Sequence, residues 1–247
     1  MSLLEFKNVS KYHPEGREHV AVLKDVSLRI DEGDRVGVWG VRRSGKSTLL
    51  RVAASIELAD EGSVCFDGRD IAGMSQHERA TLLRRGGIGL ACAPWRPSRN
   101  KPPIDHVAVS LLSDGVSLRE AKTAAMQALA RVDVAHCAYT PTNQLSQGEL
   151  IRVRLAQQFV HEPRLLLVDE PAVLASPKAS AELYKLLWSL ARDTRLALVI
   201  ASEELDPILP ASRRMTIGHG ELRSTETPGT VLSFPDGRVT ARQRSRR

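Results

Sequence analysis

Aromatic residues make up only 4% of the 247 positions, and there are three cysteines. No apolar run approaches the ~18–20 residues needed to cross a bilayer. The longest apolar stretches, such as residues 196–201, have strand length, so any membrane role requires a partner subunit. The opening segment, residues 1–10, reads as a strand. It lacks a basic start followed by an apolar core and a small-residue cleavage site, which argues against a signal peptide and for a cytoplasmic protein. Cys65, Cys92 and Cys137 match neither a metal knuckle nor a redox pair and are expected to be small buried hydrophobes. The body of the chain also lacks excess positive charge. Of the formal net charge of +6, five units come from Arg238, Arg242, Arg244, Arg246 and Arg247. That tail reads as a solvated terminus, and no nucleic-acid partner is expected.

What is present is 42% hydrophobic and 26% charged residues, enough for a domain with a sizeable core. Residues 3–30 alternate apolar and polar positions around a turn-rich stretch at 13–16, which predicts two antiparallel strands. Residues 35–39 read as a buried strand entering a glycine-containing loop, and 47–54 as the following helix. Residues 165–168 and 196–200 are short apolar runs after helical patterns, as in a parallel sheet, so the core is α/β.

A segment of different composition intervenes from about residue 94, opening with Pro94, Pro97, Pro102 and Pro103. Ser117 and Glu120 predict a capping box, and Ala121, Ala124, Ala125, Leu129 and Val132 an apolar helical stripe. The expected organisation is a domain over 1–228, with its core at 1–93 and 151–228. A helical subdomain is inserted at about 94–150, and a basic, flexible tail occupies 229–247.

Gly40, Val41, Arg42, Arg43, Ser44, Gly45, Lys46 and Ser47 match the phosphate-loop pattern, between a predicted strand and a predicted helix. Backbone N–H groups and the helix amino terminus can surround phosphate oxygens; Lys46 can neutralise them, and Ser47 can ligate magnesium. The run of residues 165–168 ends in Asp169 and Glu170, a Walker B pattern. There Asp169 can hold magnesium through water, and Glu170 can orient or deprotonate an attacking water. Leu145, Ser146, Gln147, Gly148 and Glu149 open a helical run, with Ser146 and Glu149 spaced as a capping box. These five residues would start any helix well. Their order and distance relative to the other two motifs give them functional weight.

Val9, Ser10, Lys11, Val26, Ser27, Leu28, Thr48, Arg84, Arg85, Ile88, Gly89, Arg152, Val153 and Pro171 join these motifs in carrying a resemblance. Over about residues 2–222 the chain resembles the nucleotide-binding subunits of ABC transporters, within the branch of lipoprotein-release, macrolide-efflux and cell-division ATPases. The resemblance implies a phosphate-loop NTPase (RecA-like) core with amino-terminal antiparallel strands and an inserted helical subdomain. It also implies a head-to-tail dimer, as homodimer or heterodimer, with ATP between one subunit's phosphate loop, through Thr48, and the other's signature residues Ser146, Gln147, Gly148 and Glu149. Magnesium, a transmembrane permease-type subunit and a place on the cytoplasmic face of the membrane follow from the same resemblance. The family's adenine-stacking aromatic falls at His13, beside Tyr12, and both stay open. Relatives devoted to DNA repair carry coiled-coil or zinc-bearing insertions, and this chain has neither heptads nor paired CxxC motifs.

Several positions depart from the family pattern. Ala93 stands where a glutamine is usual, Gln147 replaces one signature glycine, Ser176 stands where a loop usually ends in aspartate, and Glu203 replaces a histidine. Arg43 occupies a place that is often glycine. Removing one transition-state donor costs about 2.7–4 kcal/mol, so several changes predict magnesium–ATP binding with slow hydrolysis. The alternative is a nucleotide-gated scaffold without significant turnover. The loop with Trp95, Arg96, Arg99 and Lys101 falls where the family meets its membrane subunit, with Trp95 as a candidate anchor.

Overall fold

The computed structural model describes residues 2–16, 18–92, 97–171 and 176–225. In chain order, the strands β1 (Ser2–Glu15), β2 (Glu18–Asp31) and β3 (Arg35–Trp39) lead into α1 (Lys46–Ala53). Next come β4 (Glu61–Phe66), β5 (Arg69–Asp70), α2 (Gln76–Arg84) and β6 (Ile88–Cys92). The helices α3 (Pro103–Ser113), α4 (Leu118–Arg131) and α5 (Gln147–Phe159) follow. The chain then forms β7 (Leu165–Asp169), α6 (Pro177–Arg192), β8 (Ala197–Ser202), β9 (Arg213–Gly218) and β10 (Glu221–Ser224).

The strands make two sheets. One has the order β2-β1-β4-β5 with antiparallel pairing throughout. The other has the order β10-β9-β3-β8-β7-β6; its strands from β9 to β6 are parallel, and β10 is an antiparallel edge. The turn expected at 13–16 is tighter than that. Pairing continues through His13–Val20 and Pro14–His19 to Glu15–Glu18, and the reversal falls on Gly16, where φ is 65°.

The parallel strands are buried on both faces, which is why they read as unbroken apolar runs. Successive side chains point to opposite sides. Leu165, Leu167, Ala197, Val199 and Ala201 face the antiparallel sheet and α1, whereas Leu166, Val168, Leu198 and Ile200 face α5 and α6. On that second side, Val107 of α3, Ala125 and Leu129 of α4, and Val153 and Phe159 of α5 complete a shared core.

Ser117 caps α4, its hydroxyl accepting from Glu120 N. The reciprocal half of the expected box is replaced by a 2.6 Å bond from the Ser117 hydroxyl to the Glu120 carboxylate. The expected stripe is buried at Ala121, Ala125, Leu129 and Val132 and only half-buried at Ala124. All three cysteines are free thiols. Cys137 is buried as expected, while Cys65 and Cys92 are only half-buried: Cys65 alternates with buried Val64 and Phe66 and so points to the other face of its sheet, and Cys92 ends the edge strand β6. Among the described residues, no helix is long and apolar enough to cross a membrane.

Candidate functional site

The parallel sheet gathers the sequence motifs at one edge. Register pairs Trp39 with Ser202, Ala201 with Asp169, and Asp169 with Cys92. The carboxyl ends of β3, β8, β7 and β6 therefore lie side by side. Ligands of open α/β sheets bind at such an edge.

After β3 the chain turns through the loop into α1. Gly40 is enclosed: a Cβ there would stand 2.5 Å from both Ile217 O and Ser44 Oγ. Gly45 has φ 107°, and its Cβ would meet Val22 O at 2.7 Å, so only glycine fits. Gly45 gives α1 no side-chain cap, which leaves the helix's first N–H groups facing the loop. Arg43, at the position that is often glycine in the family, takes φ 63° and is exposed. Val41 and Arg42 are exposed beside it, whereas Ser44, Lys46 and Thr48 are buried and Ser47 is half-buried.

The Lys46 ammonium is the centre of the loop. It donates to Gly40 O at 2.7 Å and Val41 O at 3.1 Å. Glu170 Oε1 lies 3.3 Å from it and Glu203 Oε1 3.8 Å. One cation thus faces two carboxylates from the ends of β7 and β8. Glu170 is held by its N–H bond to Ala201 O and has φ 46°, a left-handed conformation rarely adopted by side-chain-bearing residues. Burial pushes its carboxyl above the ordinary range, offset in part by Lys46 and the Glu203 backbone, while the Glu203 charge pushes the same way as burial. Asp169 Oδ1 and Ser44 Oγ are buried without a hydrogen-bond partner.

Trp39 was not expected at the site. Its indole N–H donates to Glu203 O at 2.9 Å and so fixes the segment that carries the second carboxylate. Tyr184, on the buried face of α6, and Ser202, at the end of β8, also border the site. A cleft of about 720 Å³ is lined by Glu170, Tyr184, Trp188, Ser202 and Glu203. Sequence reasoning missed Tyr184, Trp188 and Ser202 because each reads as an ordinary core or strand-end position. Only Trp39, directly before Gly40, carried a positional signal.

Of the two candidates on β1, His13 Nε2 bonds Glu57 Oε2 at 3.1 Å. Glu57 also pairs with Arg51, whose guanidinium donates to Thr48 Oγ1 at 3.2 Å. A polar chain therefore links His13 to the phosphate-loop helix. Tyr12 is joined elsewhere, with its N–H on Asp60 and its hydroxyl on Glu61.

Ser146 caps α5 in a complete capping box. Its hydroxyl accepts from Glu149 N, while Glu149 Oε2 accepts from Ser146 N at 2.8 Å and from the hydroxyl at 2.7 Å. Gln147 is exposed, and Gly148 lies against Ala179 of α6, where a Cβ would make ordinary contact at 3.5 Å. No hydrogen bond or ion pair among the described residues joins this group to the phosphate loop. Ser176 caps α6, accepting from Ala179 N at 3.3 Å, so the residue that departs from the family's aspartate has a local role. Ala93, Trp95, Arg96 and the basic tail lie outside the described residues.

The sequence profile of the ABC transporter family matches residues 23–173. The chain is 31% identical over 221 residues to the lipoprotein-releasing system ATP-binding protein LolD of Roseobacter denitrificans, covering 89% of this chain and 97% of that one. It is 28% identical over 244 residues to the macrolide export ATP-binding/permease protein MacB of Bdellovibrio bacteriovorus, covering 98% of this chain but only 36% of that larger protein. Among solved structures, it superimposes with a TM-score of 0.83 on a dimeric ATP-binding cassette in a post-hydrolysis state with ADP and Pi. The two are 25% identical, over 92% of this chain and all of that one.

Proposed function

This chain belongs to the ABC transporter ATP-binding family, and we propose that it binds magnesium–ATP at a head-to-tail dimer interface and hydrolyses it slowly. In this reading it couples dimer closure to a transmembrane permease-type subunit on the cytoplasmic face of the membrane. The core would span 1–93 and 151–228, and the helices within about 94–150 would meet the membrane subunit. The single observation that carries the reading is the Lys46 ammonium, seated in its own loop and facing Glu170 at 3.3 Å and Glu203 at 3.8 Å.

The residues present suit the chemistry. Gly40 and Gly45 shape a cradle that a Cβ would fill, and the first turn of α1 presents its N–H groups to an anion. Lys46 would exchange its carbonyl partners for phosphate oxygens. Ser47 and Asp169, whose Oδ1 is buried without a partner, would hold magnesium. When bound, that ion supplies charge neutralisation to the phosphates. Glu170 would orient the attacking water or take its proton, and its raised pKa makes it a better base than an exposed carboxylate. The link from His13 through Glu57 and Arg51 to Thr48 favours His13 over Tyr12 beneath the adenine. Ser146 and Gly148 would face the partner's nucleotide.

Glu203 works against turnover. It places negative charge beside the lysine that must neutralise the γ-phosphate, where the family places a hydrogen-bond donor. This contact also favours the second reading, a nucleotide-gated scaffold in which closure matters and hydrolysis is vestigial. Phosphate release by the purified complex separates the two. Turnover that disappears in Glu170→Gln supports the slow ATPase. Nucleotide binding that requires Lys46 but gives no phosphate above background supports the scaffold. Undiminished nucleotide affinity in Lys46→Ala overturns both.

A further inference from the structure

Among the described residues, one set of metal-ligating side chains lies away from Lys46 and the ends of β7 and β8. It comprises His136, Cys137 and Glu149, whose ligand atoms all fall within 4.8 Å of one another. His136 and Cys137 occupy a 3-10 turn, Ala135–Cys137, after α4, and Glu149 stands in the first turn of α5. His136 is exposed, Glu149 half-buried and Cys137 buried, so the set is open to solvent on one side and closed on the other.

The Glu149 carboxylate divides its two oxygens. Oε2 is engaged by the Ser146 N–H and hydroxyl, whereas Oε1 faces His136 Nε2 at 3.1 Å. In a tetrahedral zinc site, nitrogen and oxygen ligands at about 2.0–2.1 Å from the metal stand roughly 3.3 Å from each other. The imidazole and carboxylate already span such an edge. The Cys137 Sγ, which now donates to Val134 O at 3.2 Å, lies within 4.8 Å of both other ligand atoms and offers the third donor once its thiol proton is lost.

We infer that His136, Cys137 and Glu149 form a binding site for a borderline-soft divalent ion of the zinc class, with water as fourth ligand. A thiolate beside an imidazole selects this class over magnesium and calcium, so the site is chemically separate from the nucleotide's magnesium. On binding, the thiol proton and the Nε2 proton that His136 directs at Glu149 Oε1 pass to solvent, and the neutral imidazole, its remaining proton on Nδ1, presents the Nε2 lone pair. The Ser146 bonds to Oε2 survive and orient the carboxylate as outer-shell partners. The ion then ties the 3-10 turn to the start of α5 and fixes Ser146 and Gly148. That last consequence rests on the proposed dimer reading, and the site itself does not.

Cobalt(II) titration of the reduced, tag-free full-length chain tests the site, with native mass spectrometry to count ions. The expected result is one ion per chain, with a thiolate-to-cobalt charge-transfer band and the intense visible absorption of tetrahedral cobalt, both removed by zinc. Cys137→Ala abolishes the charge-transfer band, and His136→Ala, a change at an exposed position, weakens affinity at least about 10-fold. Cys65→Ser and Cys92→Ser leave the spectrum unchanged. Far-UV circular dichroism confirms that the Cys137 variant is folded. A wild-type chain without the band, or a band that persists in Cys137→Ala, overturns the inference. An intact band in a chain that fails to bind ATP overturns the proposed function alone.

Discussion

The ammonium of Lys46 and the carboxylate of Glu203 stand 3.8 Å apart, although Lys46 opens the helix after β3 and Glu203 follows β8. Glu203 is about half exposed, so the contact draws on solvent-screened charge and is readily exchanged. In the proposed function, a triphosphate entering the loop would meet this carboxylate as a competitor for the same cation. Glu203→His, which removes the negative charge and supplies a donor, should raise phosphate release by the complex about 10-fold or more. One transition-state donor is worth up to 100- to 1000-fold, and such effects are not additive. Steady-state phosphate release checks this, and an unchanged rate would remove Glu203 from the account.

Glu170 makes stability depend on pH. Its folded-state pKa is raised, by burial first of all, so the native state holds its proton above the ordinary pKa of 4.5. The favourable contribution is complete below that value and is lost as pH rises through the folded pKa. Relative to the native chain, Glu170→Gln should therefore gain melting temperature between mildly acid and neutral pH. The difference should shrink towards pH 4. Thermal melts across that range give the sign directly.

Arg43 bears a left-handed backbone at φ 63° with a full side chain. Such a conformation costs an L-residue roughly 1–2 kcal/mol. Arg43→Gly should stabilise the free protein by about 1 kcal/mol after allowance for glycine's entropy, as measured by urea unfolding. If nucleotide affinity falls at the same time, the guanidinium also contacts phosphate.

The capping box at the start of α5 is worth about 1 kcal/mol, the usual cost of replacing a serine cap by alanine. Ser146→Ala should lower the urea midpoint accordingly. The Glu149 carboxyl is held below its ordinary range, chiefly by the Ser146 hydroxyl. Its contribution is present above the unfolded pKa and lost as pH falls through the folded one. The penalty of the variant should accordingly fade in acid.

Ser176→Asp tests whether the departure at that position is structural or functional. Aspartate caps a helix about as well as serine, so the bond to Ala179 N and the stability of the free chain should persist within about 0.5 kcal/mol. A change confined to ATP-driven dimerisation, followed by light scattering, would assign the position to the interface between subunits.

The sequence alone determined the glycine-bearing loop between β3 and α1, the capping box at Ser146 and the strand ending in Asp169. Each is written in contiguous residues, where glycines, caps and apolar runs dictate local backbone. The buried parallel strands were legible for the same reason. Tertiary structure alone decided that Glu203 reaches Lys46 and that Trp39 pins the Glu203 backbone. It also decided that His13 is wired to the phosphate-loop helix while Tyr12 is not, and that Cys137 meets His136 and Glu149. These relationships arise from the β3–β8 register, from the antiparallel sheet lying against α1, and from α4 delivering its 3-10 turn to the start of α5. Such meetings are set by how whole elements pack, and no spacing within a single segment encodes them.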